Sequence, residues 1–117
     1  MVELEDRNHP IFCFKHLHKD YSISKCSDDQ KAALLDKIEK WCNMTWEEIW
    51  GAPRHGLGCE KIDRDSINQV IPAFVTKDVD YLLALRFQGK KPILVHRHKF
   101  IMHVIFIDHD FSVYDHE

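Results

Sequence analysis

The chain has 117 residues, of which 44% are hydrophobic and 30% are charged, and its formal net charge is −3. This length supports one hydrophobic core, and an aromatic content of 11% with only 4 glycines and 4 prolines excludes a disordered or low-complexity chain. No apolar run approaches the roughly 20 residues of a membrane-spanning helix. The acidic, polar N-terminus lacks the pattern of a targeting peptide. We therefore expect one domain over 1–117, located in the cytoplasm and without a membrane partner.

The charge is distributed unevenly along the chain. Residues 51–103 carry 9 Lys or Arg against 5 Asp or Glu, whereas residues 1–50 carry 7 against 10 and residues 104–117 carry 0 against 4. Proteins that hold nucleic acid through phosphate contacts alone normally have a clear basic excess. We therefore expect no nonspecific nucleic-acid binding, but the basic middle segment allows a localised site for an anion.

The N-terminal part is predicted to contain a strand and a long helix. Residues 11–18 carry apolar side chains on both faces of an extended segment, which favours a strand near the middle of a sheet. Ser27 and Gln30 have the spacing of a capping box, and the apolar residues that follow recur at intervals of three and four. This pattern predicts an amphipathic helix over about 28–42.

The next segments are predicted to be short. Thr45 and Glu48 repeat the capping-box pattern and predict a helical turn that ends at a Gly and a Pro. Residues 53–62 indicate a turn followed by a short extended piece, with two glycines that we interpret as positions of positive φ. Residues 63–71 favour a helix of one or two turns that ends before Pro72.

The last third of the chain is predicted to be β. Four apolar or aromatic runs are separated by short polar segments: YLLALRFQ, PILVHRH, KFIMHVIFID and FSVYDH. Connections this short join antiparallel neighbours. With His98 and Lys99 at the centre of one turn, Leu94 lies opposite His103, and His96 is the diagonal neighbour of His103 on the same face.

The predicted fold class is therefore α+β. We expect an antiparallel β-meander of about four strands, to which the N-terminal strand could add a further one. The long amphipathic helix and the short helices are expected to pack on one face of this sheet.

Three strings carry a resemblance to a known group of proteins. HGLGCEKI (55–62), LALRFQGKKPILVHRH (83–98) and HVIFIDHDFSVYDH (103–116) resemble an uncharacterised family of small bacterial proteins. Its members share a GLGCEKI-type loop, an FRF-x-GKKP hairpin and an ID-x-x-F-x-x-YDH ending. The resemblance covers about residues 45–117 and implies no established activity.

The order of elements carries a second, more remote resemblance. Helices followed by an antiparallel meander with Arg and Lys on its strands, and then a Tyr near the end, are similar to the RelE/ParE toxin superfamily. This resemblance implies a ribonuclease that cleaves mRNA on the ribosome and is neutralised by an antitoxin. RNA or the ribosome, and an antitoxin, are thus the expected partners.

Four residues on the predicted strands are the candidate catalytic residues of such a ribonuclease: Arg86, Arg97, His103 and Tyr114. Cleavage of a phosphodiester needs a group that takes the 2′-hydroxyl proton, cations that stabilise the phosphorane charge, and an acid for the leaving oxygen. The two arginines, with Lys90 and Lys91, are suited to hold the phosphate. The His, together with the Tyr or with His116, is suited to the proton transfers.

Two other kinds of site are open from the sequence. His96, His98 and His103 superficially resemble a three-histidine zinc arrangement, but histidines on strands commonly hydrogen-bond to backbone or solvent. Cys59, four residues after His55, is either a nucleophile or a packed side chain. The neighbouring glycines lack the rest of a dinucleotide-binding pattern, so no cofactor is expected.

The alternative function is non-catalytic. Trp41, Trp46 and Trp50 lie on or beside the predicted helices, where they form either a core seam or a contact surface for a protein partner. A protein-interaction module that uses these residues or the sheet edge, or a domain that binds an anion without chemistry, are both consistent with the sequence.

Overall fold

A computed structural model of the chain describes residues 4–115. The two α-helices are Asp28–Cys42 (α1) and Trp46–Gly51 (α2), and the five strands are Ile11–Cys13 (β1), Glu60–Asp63 (β2), Tyr81–Gln88 (β3), Lys91–His98 (β4) and Ile101–Ile107 (β5). Single turns of 3₁₀-helix occupy Leu4–Arg7, Lys19–Tyr21, Ile23–Lys25 and Arg64–Ser66. The predicted α+β class is confirmed. Between residues 4 and 115, no helix combines the length and the apolar character that crossing a bilayer requires.

The strands form one sheet in the order β1-β5-β4-β3-β2. Strands β2 to β5 follow one another as antiparallel neighbours, so the predicted four-strand meander is present. The four strands of the meander are not the four predicted ones, because β2 is the first of them. The run FSVYDH forms no strand within the described residues and contributes one isolated bridge, between Tyr114 and Ile67.

The N-terminal strand was predicted wrongly as a central one. β1 has three residues and pairs in parallel with β5 at the edge of the sheet. After Cys13 the chain turns, and the amide of His18 donates to the carbonyl of Ile105 at 2.8 Å. This segment therefore has apolar residues on both sides because the chain passes from packing on one face of the sheet to packing on the other.

Helix α1 begins where the sequence predicts. The hydroxyl of Ser27 accepts from the amide of Gln30, whose side chain accepts from the amide of Ser27 in return. Thr45 and Glu48 make the same reciprocal pair at the start of α2. These caps satisfy backbone donors that the helix geometry leaves without intrahelical partners.

Side chains alternate along the strands and build a core on each side of the sheet. The helical face packs α1 and α2 against Leu83, Leu85, Phe87, Ile93, Val95, Met102, Val104 and Ile107. The opposite side, which we call the loop face, includes Tyr21, Ile62, Val75, Leu82, Ala84, Leu94, Ile105, Phe106, Val113 and Tyr114. The two α-helices pack on one face as expected, whereas the 3₁₀ turn Lys19–Tyr21 and irregular segments cover the other.

The turn between β4 and β5 lies one residue later than predicted. His98 pairs with Ile101, so that Lys99 and Phe100 are the central residues, and Lys99 has φ 57° as two-residue hairpin turns require. The shift places His96 directly opposite His103, rather than diagonally from it. The two imidazoles remain on one face, as the sequence predicts.

The predicted helix over 63–71 is only the 3₁₀ turn Arg64–Ser66. The helix stops there because the chain at Ile67 leaves to form the bridge with Tyr114. The guanidinium of Arg64 then donates to the carbonyls of Thr76 and Val79, at 2.7 and 3.0 Å, and so ties down the segment that crosses the loop face.

Gly58 is required for a reason other than the predicted positive φ. Gly89 is the glycine that has positive φ within residues 4–115. At Gly58, a Cβ would lie 2.2 Å from the carbonyl oxygen of Ala52, so no side chain fits. Its amide donates to the carbonyl of Pro53 at 2.9 Å, which closes the segment 53–58 into a compact loop ahead of β2.

Candidate functional site

An open cleft of about 900 Å³ lies where β2 and β3 meet the compact loop and the C-terminal segment. It is lined by Arg54, His55, Glu60, Lys61, Ile62, Asp63, Ser66, Arg86, Gly89, Lys90, Phe111, Tyr114 and Asp115. Four of these side chains are Arg or Lys and three are carboxylates, so the cleft is locally basic although the whole chain is acidic.

Arg86 is the buried charge at the centre of the cleft. It alternates along β3 with Leu82 and Ala84, so it lies on the loop face, and its side chain is 8% exposed. Its guanidinium donates to the Glu60 carboxylate and to the carbonyl of Arg54, the latter at 3.3 Å. Its Nε makes no hydrogen bond within residues 4–115. A buried guanidinium needs such an anionic partner, and this one keeps a donor unused.

Glu60, the first residue of β2, pairs with two arginines. One carboxylate oxygen accepts from Arg86, and the other accepts from Nη1 of Arg54 at 3.2 Å. Partial burial raises the pKa of Glu60, but the hydrogen bond and charge of Arg86, with the charges of Arg54 and His55, outweigh that effect and bring the pKa below its usual value. Glu60 is therefore an ionised carboxylate at neutral pH, able to accept a hydrogen bond or a proton.

Arg54 and His55 form the exposed wall of the cleft. Nε of Arg54 donates to Nε2 of His55 at 3.3 Å. Helix α1 holds the loop that carries them, because the indole Nε1 of Trp41 donates to the carbonyl of Leu57 at 3.0 Å. The core of the helical face thus fixes the position of a cleft that opens on the other side of the sheet.

Tyr114 forms the opposite wall. It is 7% exposed, and the bridge to Ile67 fixes its backbone. Burial raises the pKa of its phenol, with Glu60 and Asp108 acting in the same direction against Arg86. The hydroxyl is therefore protonated at neutral pH and can donate a hydrogen bond to an anion.

The structure brings together two of the four predicted site residues. Arg86 and Tyr114 line the same cleft, and Lys90 lies beside them. His103 lies on the same face of the sheet, but it packs in a separate cluster of rings. Arg97 lies on the opposite face, while His116 is outside the described residues.

Arg97 serves the packing of the helical face. It alternates with Val95 along β4, its guanidinium carbon lies 4.0 Å from the centroid of the Trp46 ring, and its Nη2 binds the carboxylate of Asp6. Its Nε donates to the carbonyl of Lys99 at 2.5 Å. These contacts link the N-terminal segment to the sheet and leave Arg97 away from the cleft.

His103 belongs to a cluster of imidazoles around Phe74. The His16 ring stacks on Phe74 at 3.5 Å between centroids, and the His103 ring lies 4.8 Å from Phe74 and 6.3 Å from the His96 ring. Within the part of the chain that the structure describes, no group of three or more His, Cys, Asp or Glu could hold a metal ion. Ring packing against Phe74 is the observed contact of these histidines.

This cluster predicts a stability that falls in acid. Burial lowers the pKa of His96 and of His103. The imidazole of His98 lowers both further, those of His96 and His16 lower the pKa of His103, and Asp78 raises the pKa of His96. Because the folded-state pKa lies below the unfolded value of about 6.5, the unfolded chain binds more protons as the pH falls through that range. We expect the free energy of unfolding to decrease between about pH 7 and about pH 5.

The measurement is urea unfolding at both pH values for wild type and for His103→Gln. The variant is expected to lose less stability on acidification, because it has one imidazole fewer to protonate. His9→Gln, on the exposed N-terminal segment, is the matched control and is expected to follow the wild type. Equal pH dependence of wild type and His103→Gln would contradict the account.

Glu60 and Arg54 are site residues that the sequence did not predict. Both lie in the string RHGLGCE, in which Cys59 was considered as a candidate nucleophile. Burial raises the pKa of Cys59 to about 11, and its side chain packs against the core of the helical face. The thiol is therefore protonated at neutral pH. The feature of this string that indicates the site is the charged pair Arg54 and Glu60, which flanks the glycines.

The three tryptophans differ in their surroundings. Trp41 and Trp46 are fully buried in the core of the helical face, where Nε1 of Trp46 donates to the carbonyl of Phe100 at 3.0 Å. Trp50 is 39% exposed. Trp41 and Trp46 therefore form a core seam. A contact surface for a protein partner on α2 would use Trp50.

Comparison with known proteins gives no relative: no family model, no curated protein and no solved structure matches the chain. The resemblances to a small bacterial family and to the RelE/ParE superfamily therefore stay predictions.

Proposed function

We propose that the cleft around Arg86 binds the phosphodiester of RNA and cleaves it, as in a RelE-like toxin. The observation that carries the proposal is the meeting of a buried arginine, an ionised carboxylate, a second arginine, an imidazole and a protonated phenol in one open cleft: Arg86, Glu60, Arg54, His55 and Tyr114. These are the group types that cleavage by the 2′-hydroxyl requires.

The cations of the cleft suit a phosphate. Arg86 and Arg54 already hold a carboxylate, and guanidinium donors match the oxygens of phosphate in the same way. Lys61 and Lys90 add positive charge at the rim. A localised site of this kind is compatible with a net charge of −3, because it needs one anchored phosphate rather than a basic surface.

In the proposed chemical step, the 2′-hydroxyl of the RNA itself attacks the neighbouring phosphodiester. Glu60 takes the proton of the 2′-hydroxyl, and the 2′-oxygen attacks the adjacent phosphorus, which breaks the bond from phosphorus to the 5′-oxygen. When Arg54 turns to the phosphate, Nε2 of His55 no longer accepts from Arg54 and takes a proton from water, which the imidazolium then gives to the leaving 5′-oxygen. Glu60 returns the 2′-hydroxyl proton to water after the products leave. Arg86 and Tyr114 stabilise the charge of the phosphorane. The products are a 2′,3′-cyclic phosphate and a 5′-hydroxyl.

The partners proposed with this activity follow from the RelE/ParE resemblance. They are mRNA on the ribosome and a protein antitoxin that covers the cleft. Binding of an anion without cleavage is the second candidate, because the same cations support it. If the protein binds RNA and leaves it intact, binding of an anion without cleavage is the function of the cleft.

A matched pair of arginine variants tests the proposal. Arg86→Gln is expected to lower the rate of RNA cleavage about 100- to 1,000-fold, the range for removal of one donor that stabilises an oxyanion. Arg97→Gln removes a guanidinium on the opposite face and is expected to retain the wild-type rate per folded molecule. The readout is single-turnover cleavage of labelled RNA, with the folded fraction measured by circular dichroism. Equal effects of the two variants would overturn the proposal.

A further inference from the structure

A segment without helix or strand crosses the loop face ahead of β3. Among its residues 68–80, which we call the strap, Val75 is the one buried side chain. The bonds from Arg64 to the carbonyls of Thr76 and Val79 hold its second half. Because a segment with few buried contacts opens locally at low free energy, the attachment of the strap depends on each contact that it makes.

Phe74 attaches the strap to the sheet through histidine side chains. Its ring stacks on that of His16, with 3.5 Å between centroids and 6° between planes. The rings of His103 and His96 lie 4.8 and 6.2 Å from it. These histidines belong to three elements, namely the segment after β1, β5 and β4. The large apolar side chain of the strap therefore rests on groups that titrate.

Protonation weakens this contact because the imidazoles are close together and partly buried. The rings of His16 and His103 are 6.0 Å apart, and those of His103 and His96 are 6.3 Å apart. A single imidazolium is attracted to the face of an aromatic ring, but several at these distances repel one another. Nδ1 of His103 is buried and makes no hydrogen bond within residues 4–115. Since an imidazolium carries a proton on both nitrogens, this atom becomes a donor without an acceptor in acid.

The groups that act on His96 and His103 are imidazoles and one carboxylate. Burial and the imidazoles of His96, His16 and His98 lower the pKa of His103. Burial and His98 also lower the pKa of His96, whereas Asp78 on the strap raises it. Asp78 is exposed, so solvent and salt screen its effect. Because both pKa values lie below that of an unfolded imidazole, about 6.5, opening of the strap takes up protons and is favoured by acid.

The strap also holds one wall of the cleft. At its start, the amide of Asn68 donates to the carbonyl of Val113 at 2.7 Å, beside the bridge between Ile67 and Tyr114. A strap that leaves the loop face therefore pulls on the backbone contacts that position Tyr114.

We propose that protonation of the imidazoles around Phe74 releases the strap from the loop face in acid, and with it the backbone contacts that position the Tyr114 wall of the cleft. This switch goes beyond the proposed function. It is a property of the free protein and does not depend on cleavage of RNA.

Amide hydrogen exchange of the full chain, followed by NMR at about pH 7.5 and about pH 5.5, tests the proposal. The reporters are the amides of Asn68, Val75 and Val79, each of which donates a hydrogen bond. After correction for the intrinsic effect of pH on exchange, their protection is expected to fall about 5- to 150-fold in acid, the factor for one buried donor left without an acceptor. The amides of β3 are expected to stay better protected and, unlike those of the strap, to lose protection when a little urea is added.

Two variants on the strap separate protonation from other effects of acid. Phe74→Ala removes the ring that contacts the imidazoles, so its strap is expected to be weakly protected at both pH values and to show no pH dependence. Val70→Ala is the matched control, because it truncates a side chain of the same strap that is 82% exposed, and it is expected to follow the wild type.

Three results would overturn the proposal. The first is equal protection of the wild-type strap at both pH values. The second is loss of its protection only together with β3 and with the same dependence on urea, which would mean that acid acts through global unfolding alone. The third is a full pH dependence of the strap in Phe74→Ala.

Discussion

The Glu60→Gln variant is expected to cleave RNA about 100- to 10,000-fold more slowly than the wild type, which is the range for removal of a general base. The amide oxygen of Gln still accepts from Arg86 but does not neutralise its buried charge, so the folded fraction of the variant is measured by circular dichroism. The amide cannot take the 2′-hydroxyl proton. Binding of RNA is expected to stay within a few-fold of the wild type. The measurement is the single-turnover rate at saturating protein, with Kd determined separately.

Glu39→Gln is the matched control, because it makes the same change at an exposed position of α1. It is expected to cleave at the wild-type rate. If Glu60→Gln also kept the wild-type rate and the same dependence of rate on pH, Glu60 would not be the base and the proposed chemical step would be wrong.

The Trp41→Ala variant is expected to lower the free energy of unfolding by about 3 to 5 kcal/mol, the usual cost of truncating a large buried side chain. Trp41 is fully buried, stacks with Phe12 at 6.0 Å between ring centroids, and anchors the carbonyl of Leu57. Equilibrium urea unfolding measures the change. Trp50→Ala, at a partly exposed position of the next helix, is expected to cost less than about 1 kcal/mol.

Trp41→Phe separates packing from the hydrogen bond. It keeps an aromatic ring in the core and is expected to cost less than Trp41→Ala, while the carbonyl of Leu57 loses its donor. Because that bond holds the loop of Arg54 and His55, the variant is also expected to cleave RNA more slowly. Equal stability losses for Trp41→Ala and Trp50→Ala would contradict the packing described for α1.

The elements predicted well are those whose local pattern already contains the reason for their structure. Helix α1 has both its capping box and its apolar period in the sequence, and its bounds agree with the prediction. The long apolar runs of β3, β4 and β5 are strands because they are buried on both faces. Segments 11–18 and 111–115 have similar apolar patterns, but they run over packed surfaces where the sheet offers them little or no pairing.

The site was predicted in part because its geometry depends on register. Arg86 and Tyr114 were predicted from residue type, but Glu60 enters the cleft only because it pairs with Ala84, which makes it the diagonal neighbour of Arg86. Register between β2 and β3 is not visible in a single sequence. Arg97 was assigned to the site because its packing on the Trp46 ring could not be foreseen from the strand pattern.

In the proposed reaction the 2′-hydroxyl of the RNA attacks the adjacent phosphodiester. The chemical nature of the product ends tests this reaction most directly. Incubation of the purified protein with an unpaired RNA of defined sequence is predicted to yield 2′,3′-cyclic phosphate and 5′-hydroxyl ends. A single 2′-deoxy nucleotide on the 5′ side of the cleaved bond is predicted to abolish the cut. Intact RNA at saturating protein, or cleavage that persists at the deoxy position, would contradict the account.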